Sequence, residues 1–287
     1  MTTPPGVPAD DGPPAAPIDT SVPHPARRYD YWLGGKDNFA ADRESGDRIA
    51  QAYPDTVTSV RENRRYMQRV VRYLAAEAGV TQFLDIGTGI PTPPNVHQIA
   101  QDITPAARVV YVDNDPLVMV HNRALLVGTP EGVTEYVERD LRNPAMILDD
   151  PTVRKTFDFD QPIAVLLIAV LHFLDDDEQA YRIVSALVER LPPGSFVAAS
   201  QATNDPLPHQ TLERLRVLAQ RGKDGPFRPR TRGEFEQFFT GLTLVDPGVC
   251  SLVDWRPDLT PNPEAKAEAV AAYGAVARID AMQHTET

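Results

Sequence analysis

Short runs of consecutive apolar residues alternate through the middle of this chain with longer stretches whose apolar residues return every three to four positions. The first kind marks buried strands and the second marks amphipathic helices. Strands are predicted over residues 82–86, 108–112, 134–137, 163–169 and 196–200, with helices near 95–103, 116–127 and 177–191. Residues 163–170 are apolar throughout, as a central parallel strand must be when both sheet faces are covered. An earlier helix is predicted over 58–78, where Val60, Tyr66, Met67, Val70, Val71, Leu74 and Ala78 share one side. This alternation gives an α/β fold, a parallel sheet with helices on both faces. Beyond Ser200 the pattern changes. Helices near 208–221 and 231–239 are followed by 242–246 and 249–253, which flank Pro247-Gly248 and read as a closing hairpin. An alanine-rich final helix is predicted over 263–281. Residues 1–23, rich in Pro and Ala, are expected to be disordered.

Two of the strands carry acids at their ends. Phe83-Leu84-Asp85-Ile86-Gly87-Thr88-Gly89 delivers an acid and two glycines to a turn, and Val109-Val110-Tyr111-Val112-Asp113 ends in a second acid. Open α/β sheets bind ligands at this edge. Gly87 and Gly89 let the chain turn sharply and a ligand approach its backbone. A dinucleotide fingerprint needs a third small residue and a helix start aimed at the pyrophosphate. Here Thr92 holds that position, and Pro91, Pro93 and Pro94 delay the helix. The loop therefore suits S-adenosylmethionine, a nucleoside sulfonium without phosphates. Asp85 is placed for its ammonium group, the Gly87–Gly89 backbone for its aminoacyl end, and Asp113 for both ribose hydroxyls. The plainer reading is a glycine turn with two capping acids. Asp140 and Leu141 follow the third strand and suit the adenine amino group and ring face; the alternative is an Asx-turn or a cap for a helix at 144–148. Asn114, beside Asp113, and Ala169, at the end of the fourth strand, complete the expected cofactor contacts on the sheet edge.

Methyl transfer from a sulfonium is an in-line displacement, helped by alignment, exclusion of water and removal of the acceptor's proton. His172 follows the fourth strand and is the catalytic candidate, as a general base or as a group that orients the acceptor. It can equally pack at the strand end, beside a capping box at Asp175-x-x-Glu178. Residues 27–39 are dense in binding groups: Tyr31, Trp32 or Phe39 can face the sulfonium, with Tyr31 and Asn38 taken as cofactor contacts. Gly34-Gly35 permits a hinge, so residues 24–80 read as an N-terminal helical extension or lid, and 81–287 as the cofactor-binding domain. Its aromatics can also be ordinary core. Asn204, Asp205 and His209 are further acceptor-site candidates, although Asn-Asp-Pro is also a turn signal.

Composition narrows the partners. With 28 Lys and Arg against 40 Asp and Glu, the net charge of −12 disfavours a nucleic-acid surface. The arginines at 61, 64, 65, 69 and 72, and those at 228, 230 and 232, read as solvated faces or ion pairs. The longest apolar run, residues 163–171, is too short to span a bilayer, and no secretion signal opens the sequence. One cysteine, Cys250, excludes an internal disulfide and a thiolate zinc cluster. A cytoplasmic protein with a small-molecule methyl acceptor, and with no nucleic-acid, membrane or metal partner, is the expectation.

The blocks Tyr29-Asp30-Tyr31-Trp32-Leu33-Gly34-Gly35-Lys36-Asp37-Asn38-Phe39, Gln82 to Thr92, Tyr111-Val112-Asp113-Asn114-Asp115-Pro116, Val170-Leu171-His172-Phe173 and Trp255-Arg256-Pro257-Asp258 carry a resemblance. The chain resembles the actinobacterial S-adenosyl methyltransferase family, long labelled a domain of unknown function, over roughly residues 24–280. The resemblance implies a Rossmann-like class I methyltransferase: a seven-stranded, mostly parallel sheet whose last hairpin includes one antiparallel strand. It also implies S-adenosylmethionine at Asp85, Gly87, Gly89 and Asp113, with S-adenosylhomocysteine as product. Glu138-Arg139 before Asp140 departs from the family's smaller or acidic residues. The competing functions are a non-catalytic regulator that binds S-adenosylmethionine or S-adenosylhomocysteine, an NAD(P)-dependent oxidoreductase, and a protein or RNA methyltransferase. Thr92 counts against the oxidoreductase and the acidic balance against the last.

Overall fold

A computed structural model describes residues 19–125, 128–262 and 265–281. The tail expected to be disordered lies outside the described residues up to position 18, as do 126–127 of the helix predicted over 116–127. Three helices come first: α1 (Pro25–Leu33), α2 (Ala40–Ala52) and α3 (Thr56–Ala76). Strand and helix then alternate as β1 (Gln82–Ile86), α4 (Val96–Ile103), β2 (Arg108–Asp113), α5 (Pro116–Leu125) and β3 (Val133–Glu138). The short helices α6 (Pro144–Leu148) and α7 (Pro151–Thr156) lead to β4 (Ala164–Leu167), α8 (Asp177–Val188) and β5 (Phe196–Ala202). The chain closes with α9 (His209–Ala219), α10 (Arg232–Glu236), β6 (Thr243–Leu244), β7 (Cys250–Ser251) and β8 (Ala272–Arg278).

The sheet runs β3-β2-β1-β4-β5-β8-β6, with β7 paired to β8 beside that path. Strands β1 to β5 are mutually parallel, whereas β8 runs antiparallel to β5. Because side chains alternate along a strand, each strand feeds two cores. Leu84, Val110, Val165 and Val197 pack beneath α6, α7, α8 and α10. Phe83, Val109, Leu166 and Val276 pack against α3, α4 and the buried Trp255. Helix α3 is thus built into one core through Tyr66, Met67, Val70, Val71 and Leu74.

Two expectations fail at the C-terminal end. The predicted final helix is the strand β8, preceded by a 3₁₀ turn at Ala267–Ala269; its first two predicted positions, 263–264, lie outside the described residues. Alanine favours helices, but tertiary context overrides that preference when a gap in the sheet must be filled. Small residues are what this strand requires. A Cβ at Gly274 would come 2.6 Å from the Tyr66 ring and 2.9 Å from a Leu252 methyl. Nor do 242–246 and 249–253 form a hairpin: β6 and β7 dock separately on β8, pairing with Ala277–Arg278 and with Tyr273–Gly274. Among the described residues the sheet has seven strands along its main path, and β7 paired to β8 makes an eighth. The helix expected to begin with a box at Asp175 starts one residue later, Asp176 accepting from Gln179 N at 2.9 Å.

Tyr66 cannot retreat, because its hydroxyl proton is shared between Ala199 O at 3.0 Å and Ala275 O at 2.9 Å. Gly274→Ala is therefore expected to cost about 1–3 kcal/mol through overpacking. A chain of this size loses about 2–4 °C of Tm per kcal/mol. A thermal melt unchanged from wild type would remove the claim that Tyr66 dictates this glycine.

Candidate functional site

The C-terminal edge of β1, β2 and β4 gathers the chemistry. Asp85 lies inside β1, paired in register with Tyr111 of β2 and Leu166 of β4. Its side chain is buried, and its carboxylate accepts no hydrogen bond among the described residues. Burial lifts its pKa to about 7; the nearby Arg64 charge opposes this and Asp113 adds to it. Gly87 turns the chain at φ +76°, where a Cβ would strike Val170 at 2.6 Å, and its N–H donates to Val112 O at 2.8 Å. The left-handed backbone and the Val170 contact together leave room for glycine alone.

Asp113 ends β2 and is gripped by the backbone. Gly89 N donates to one carboxylate oxygen at 2.9 Å and Asp115 N to the other, also at 2.9 Å. Burial raises its pKa, with these two N–H bonds opposing the rise. Asn114 reaches the third strand's acid, Nδ2 donating to Asp140 Oδ2 at 3.2 Å. Asp140 itself forms the Asx-turn offered as the plainer reading, accepting from Arg142 N at 2.8 Å and pairing with the Arg142 guanidinium at 3.0 Å. Leu141 is buried in the core beneath. Arg139, the departure from the family pattern, pairs with Asp150 at 2.8 Å, at the start of α7.

Ala169 follows β4 at φ +56°, an uncommon conformation for a residue with a Cβ. A relay of hydrogen bonds holds it. Ala169 N donates to Ser200 Oγ at 2.8 Å, Ser200 Oγ to Asn63 Oδ1 at 2.6 Å, and Asn63 Nδ2 to the Tyr29 hydroxyl at 2.8 Å. The relay joins β4, β5, α3 and α1, so the turn after β4 is set by the N-terminal helices. His172 stands in the 3₁₀ turn Leu171–Phe173 that follows. Its ring is buried, with Nδ1 lacking a hydrogen-bond partner. Burial, aided by the Arg230 and Arg28 charges, drives its pKa down to about 3.

Helix α1 covers the glycine turn. The Ala26 methyl lies 4.0 Å from where a Gly89 Cβ would be, and His24 Nδ1 meets Asp115 Oδ2 at 3.0 Å. Asp42, fully buried, ties the starts of both helices by accepting from His24 N at 2.8 Å and Phe39 N at 2.9 Å. The polar atoms of Tyr31 and Asn38 serve this cover internally. The Tyr31 hydroxyl donates to Asp47 at 2.7 Å, and Asn38 Nδ2 to Asp30 at 2.8 Å. Gly34 and Gly35 sit in a tied turn, their N–H groups on Tyr31 O at 3.0 Å and Asp30 O at 2.9 Å.

Several of the arginines read as solvated faces or ion pairs prove to be structural, two of them buried. Arg69 is buried and donates to Trp255 O at 2.8 Å and to Leu252 O. Arg64 donates to Thr92 O and to Pro94 O at 3.0 Å, fastening the proline-rich loop. Arg230 is fully buried, bound to Asp177 at 2.9 Å, Leu171 O at 3.0 Å and Leu174 O at 2.8 Å. Arg65 pairs with Glu62 and Arg232 with Glu236, as surface readings expect. Of the later acceptor candidates, Asp205 receives the Tyr273 hydroxyl at 3.0 Å, and His209 is exposed at the start of α9. Among the described residues no helix is long and apolar enough to cross a membrane.

Comparison with known proteins bears on what this socket holds. The family model described as S-adenosyl methyltransferase matches residues 11–280. A crystal structure of a DUF574 family protein from Streptomyces avermitilis superposes with a TM-score of 0.86 at 48% identity, covering 91% of this chain and 99% of that one. A protein from Thermobifida fusca, provisionally described as a methyltransferase, superposes with a TM-score of 0.83 at 40% identity, covering 92% of this chain and 97% of that one. No curated protein matches the sequence. A sheet with acids at its β1 and β2 ends and a family match over nearly the whole chain lead to one conclusion: this protein belongs to the S-adenosyl methyltransferase family, whose cofactor is S-adenosylmethionine.

Proposed function

We propose that this enzyme methylates a small-molecule acceptor, with Asp85, Gly87, Gly89 and Asp113 forming the cofactor socket. The observation that carries this is Asp85: a largely buried carboxylate that accepts no hydrogen bond among the described residues, one strand from a second buried carboxylate fixed by backbone N–H groups. A buried acid left without a partner is costly unless a ligand completes it. The residues fit the cofactor. Asp85 pairs with its ammonium, and the Arg64 charge, which already acts on Asp85, suits its carboxylate. The Asp113 oxygens keep lone pairs for two ribose hydroxyls, and Asn114, Asp140 and Leu141 stand at the adenine end. Ala169 is held at the edge of β4, one strand beyond Asp85. When bound, S-adenosylmethionine supplies an activated methyl group with a neutral thioether as leaving group.

The protein's own contribution is alignment and dryness. Helix α1 and the turn at residues 34–39 form the cover, with His24 on Asp115 as its latch. Tyr31 and Asn38 serve within that cover, bracing it through Asp47 and Asp30. Burial holds the His172 pKa at about 3, so its neutral ring is too weak a base to draw off the acceptor's proton and serves to orient the acceptor.

The direct test is calorimetric titration with S-adenosylhomocysteine, accompanied by a thermal shift. Ligand at a hundred times its Kd raises stability by about 2.7 kcal/mol. No heat and no shift would end the reading. The pH dependence follows from Asp85. Its raised pKa means that the free, folded protein holds a proton that the unfolded chain has lost between about pH 4 and 7, so stability falls as pH rises through that window. Ligand ammonium requires the ionised form. Affinity should therefore fall up to about tenfold per pH unit below 7 and level off above it, with protons released on binding. Titration at pH 6 in two buffers of different ionisation heat reads that release; an identical heat in both would contradict the role of Asp85.

A further inference from the structure

At the end of β4, one strand from β1 on the side away from β2, an aromatic cluster includes a buried His172 Nδ1 that has no hydrogen-bond partner among the described residues. The rings of His172 and Phe173 lie 4.5 Å apart between centroids, and Phe227 sits 4.8 Å from His172. Phe227 is 54% exposed, so part of its ring faces outward instead of into the core. Arg228 N donates to His172 O at 2.7 Å and pins this loop against the turn. Helix α1 contributes Arg28, which is buried with Nε lacking a partner among the described residues. Its other end is fixed, Nη1 donating to Asp224 O at 2.8 Å and Ser45 Oγ at 3.2 Å. Partnerless buried nitrogens are uncommon in folded proteins, and the Arg28 charge acts on the His172 ring that carries the other.

Their chemistry selects a ligand. Arginine Nε–H is only ever a donor, and a neutral histidine carrying its proton on Nδ1 is a second donor. Two unspent donors in one neighbourhood favour an oxygen anion, and the rings favour a flat apolar body. We propose, resting on the methyltransferase reading, that the acceptor is a small aromatic hydroxy compound bound as its phenolate. Its ring lies against Phe173 and Phe227, and its oxygen faces Arg28 Nε and His172 Nδ1. The phenolic proton leaves to solvent on binding. The O–CH₃ bond then forms as the S–CH₃ bond breaks with its electron pair left on sulfur. Phenolate and sulfonium charges cancel in the ether and thioether products, so no general base is needed at that step.

The test uses protein saturated with S-adenosylhomocysteine and 4-nitrophenol as a chromogenic probe, its phenolate absorbance followed on titration. Saturable binding as the anion is expected, with the neutral analogue 4-nitroaniline bound at least about tenfold more weakly. Phe227→Ala and Arg28→Lys, the latter keeping the charge but losing Nε–H, should each weaken the phenolate by about tenfold, with S-adenosylhomocysteine affinity unchanged in Phe227→Ala. Absence of saturable phenolate binding, equal affinity for 4-nitroaniline, or indifference to both substitutions overturns the proposal. Failure of S-adenosylhomocysteine itself to bind would instead strike the reading on which it rests.

Discussion

Asp113→Ala is expected to weaken S-adenosylmethionine binding by about a hundredfold or more. The carboxylate is proposed to receive two ribose hydroxyls, and hydrogen bonds to a charged group are worth about 1.5–3 kcal/mol each. Two of them amount to about 3–6 kcal/mol, and each 1.4 kcal/mol is a tenfold change. The substitution also strips the Gly89 and Asp115 N–H groups of their acceptor. Some loss of stability in the free protein will accompany it. A melt without ligand separates the two effects, because the sheet core around β2 rests on Val110 and Val112 on one face and on Val109 and Tyr111 on the other. The variant should unfold cooperatively a few degrees early yet be fully folded at the temperature of titration. Calorimetric affinity equal to wild type would remove the ribose assignment and leave Asp113 as a turn-binding acid alone.

What the sequence displayed of this site is what one strand and its following turn can encode. Asp85, Gly87, Gly89 and Asp113 sit within two short segments whose periodicity already places them on the sheet edge, so local patterning sufficed. The remainder of the site is assembled across the chain. Ser200 reaches Asn63 from 137 positions away, and Arg28 reaches Asp224 from 196. A serine or an asparagine inside an otherwise ordinary element announces nothing about such partners. The arginines mislead in a different way. Arg69 and Arg230 look like surface charge in sequence, but each satisfies backbone carbonyls of irregular turns that no local pattern reveals. The same holds for β8, whose Gly274 is set by the Tyr66 ring and whose alanines sit in a strand beside β5, against their helix preference. The N-terminal block is the mixed case. Its density of polar and aromatic groups marked it as special, yet much of that chemistry is spent on holding α1 and α2 together over the glycine turn.

Arg230→Ala should have the largest effect on stability, about 3–5 kcal/mol, because it empties a fully buried guanidinium site. Four bonds vanish together: Nε to Asp177 at 2.9 Å, Nη1 to Leu171 O at 3.0 Å and to Gln201 Oε1 at 3.2 Å, and Nη2 to Leu174 O at 2.8 Å. Asp177 is partly exposed and also holds Arg228 at 2.8 Å, so it can turn to water and to that partner. The carbonyls of Leu171 and Leu174 have less freedom, since they flank the 3₁₀ turn carrying His172. Their desolvation sets most of the cost. Arg230→Lys offers one ammonium for four directions and should recover only part of the loss. The damage ought to be selective as well. Asp85 and Asp113 lie on β1 and β2, so S-adenosylhomocysteine should still bind the folded fraction, while transfer to an acceptor beside His172 should drop. Denaturant unfolding gives the first number, and calorimetry beside single-turnover methyl transfer gives the second. A variant as stable as wild type would show that the buried guanidinium only fills space. A variant that loses ligand and transfer in equal measure would show that the turn at Leu171–Phe173 supports the whole socket and not the acceptor side alone.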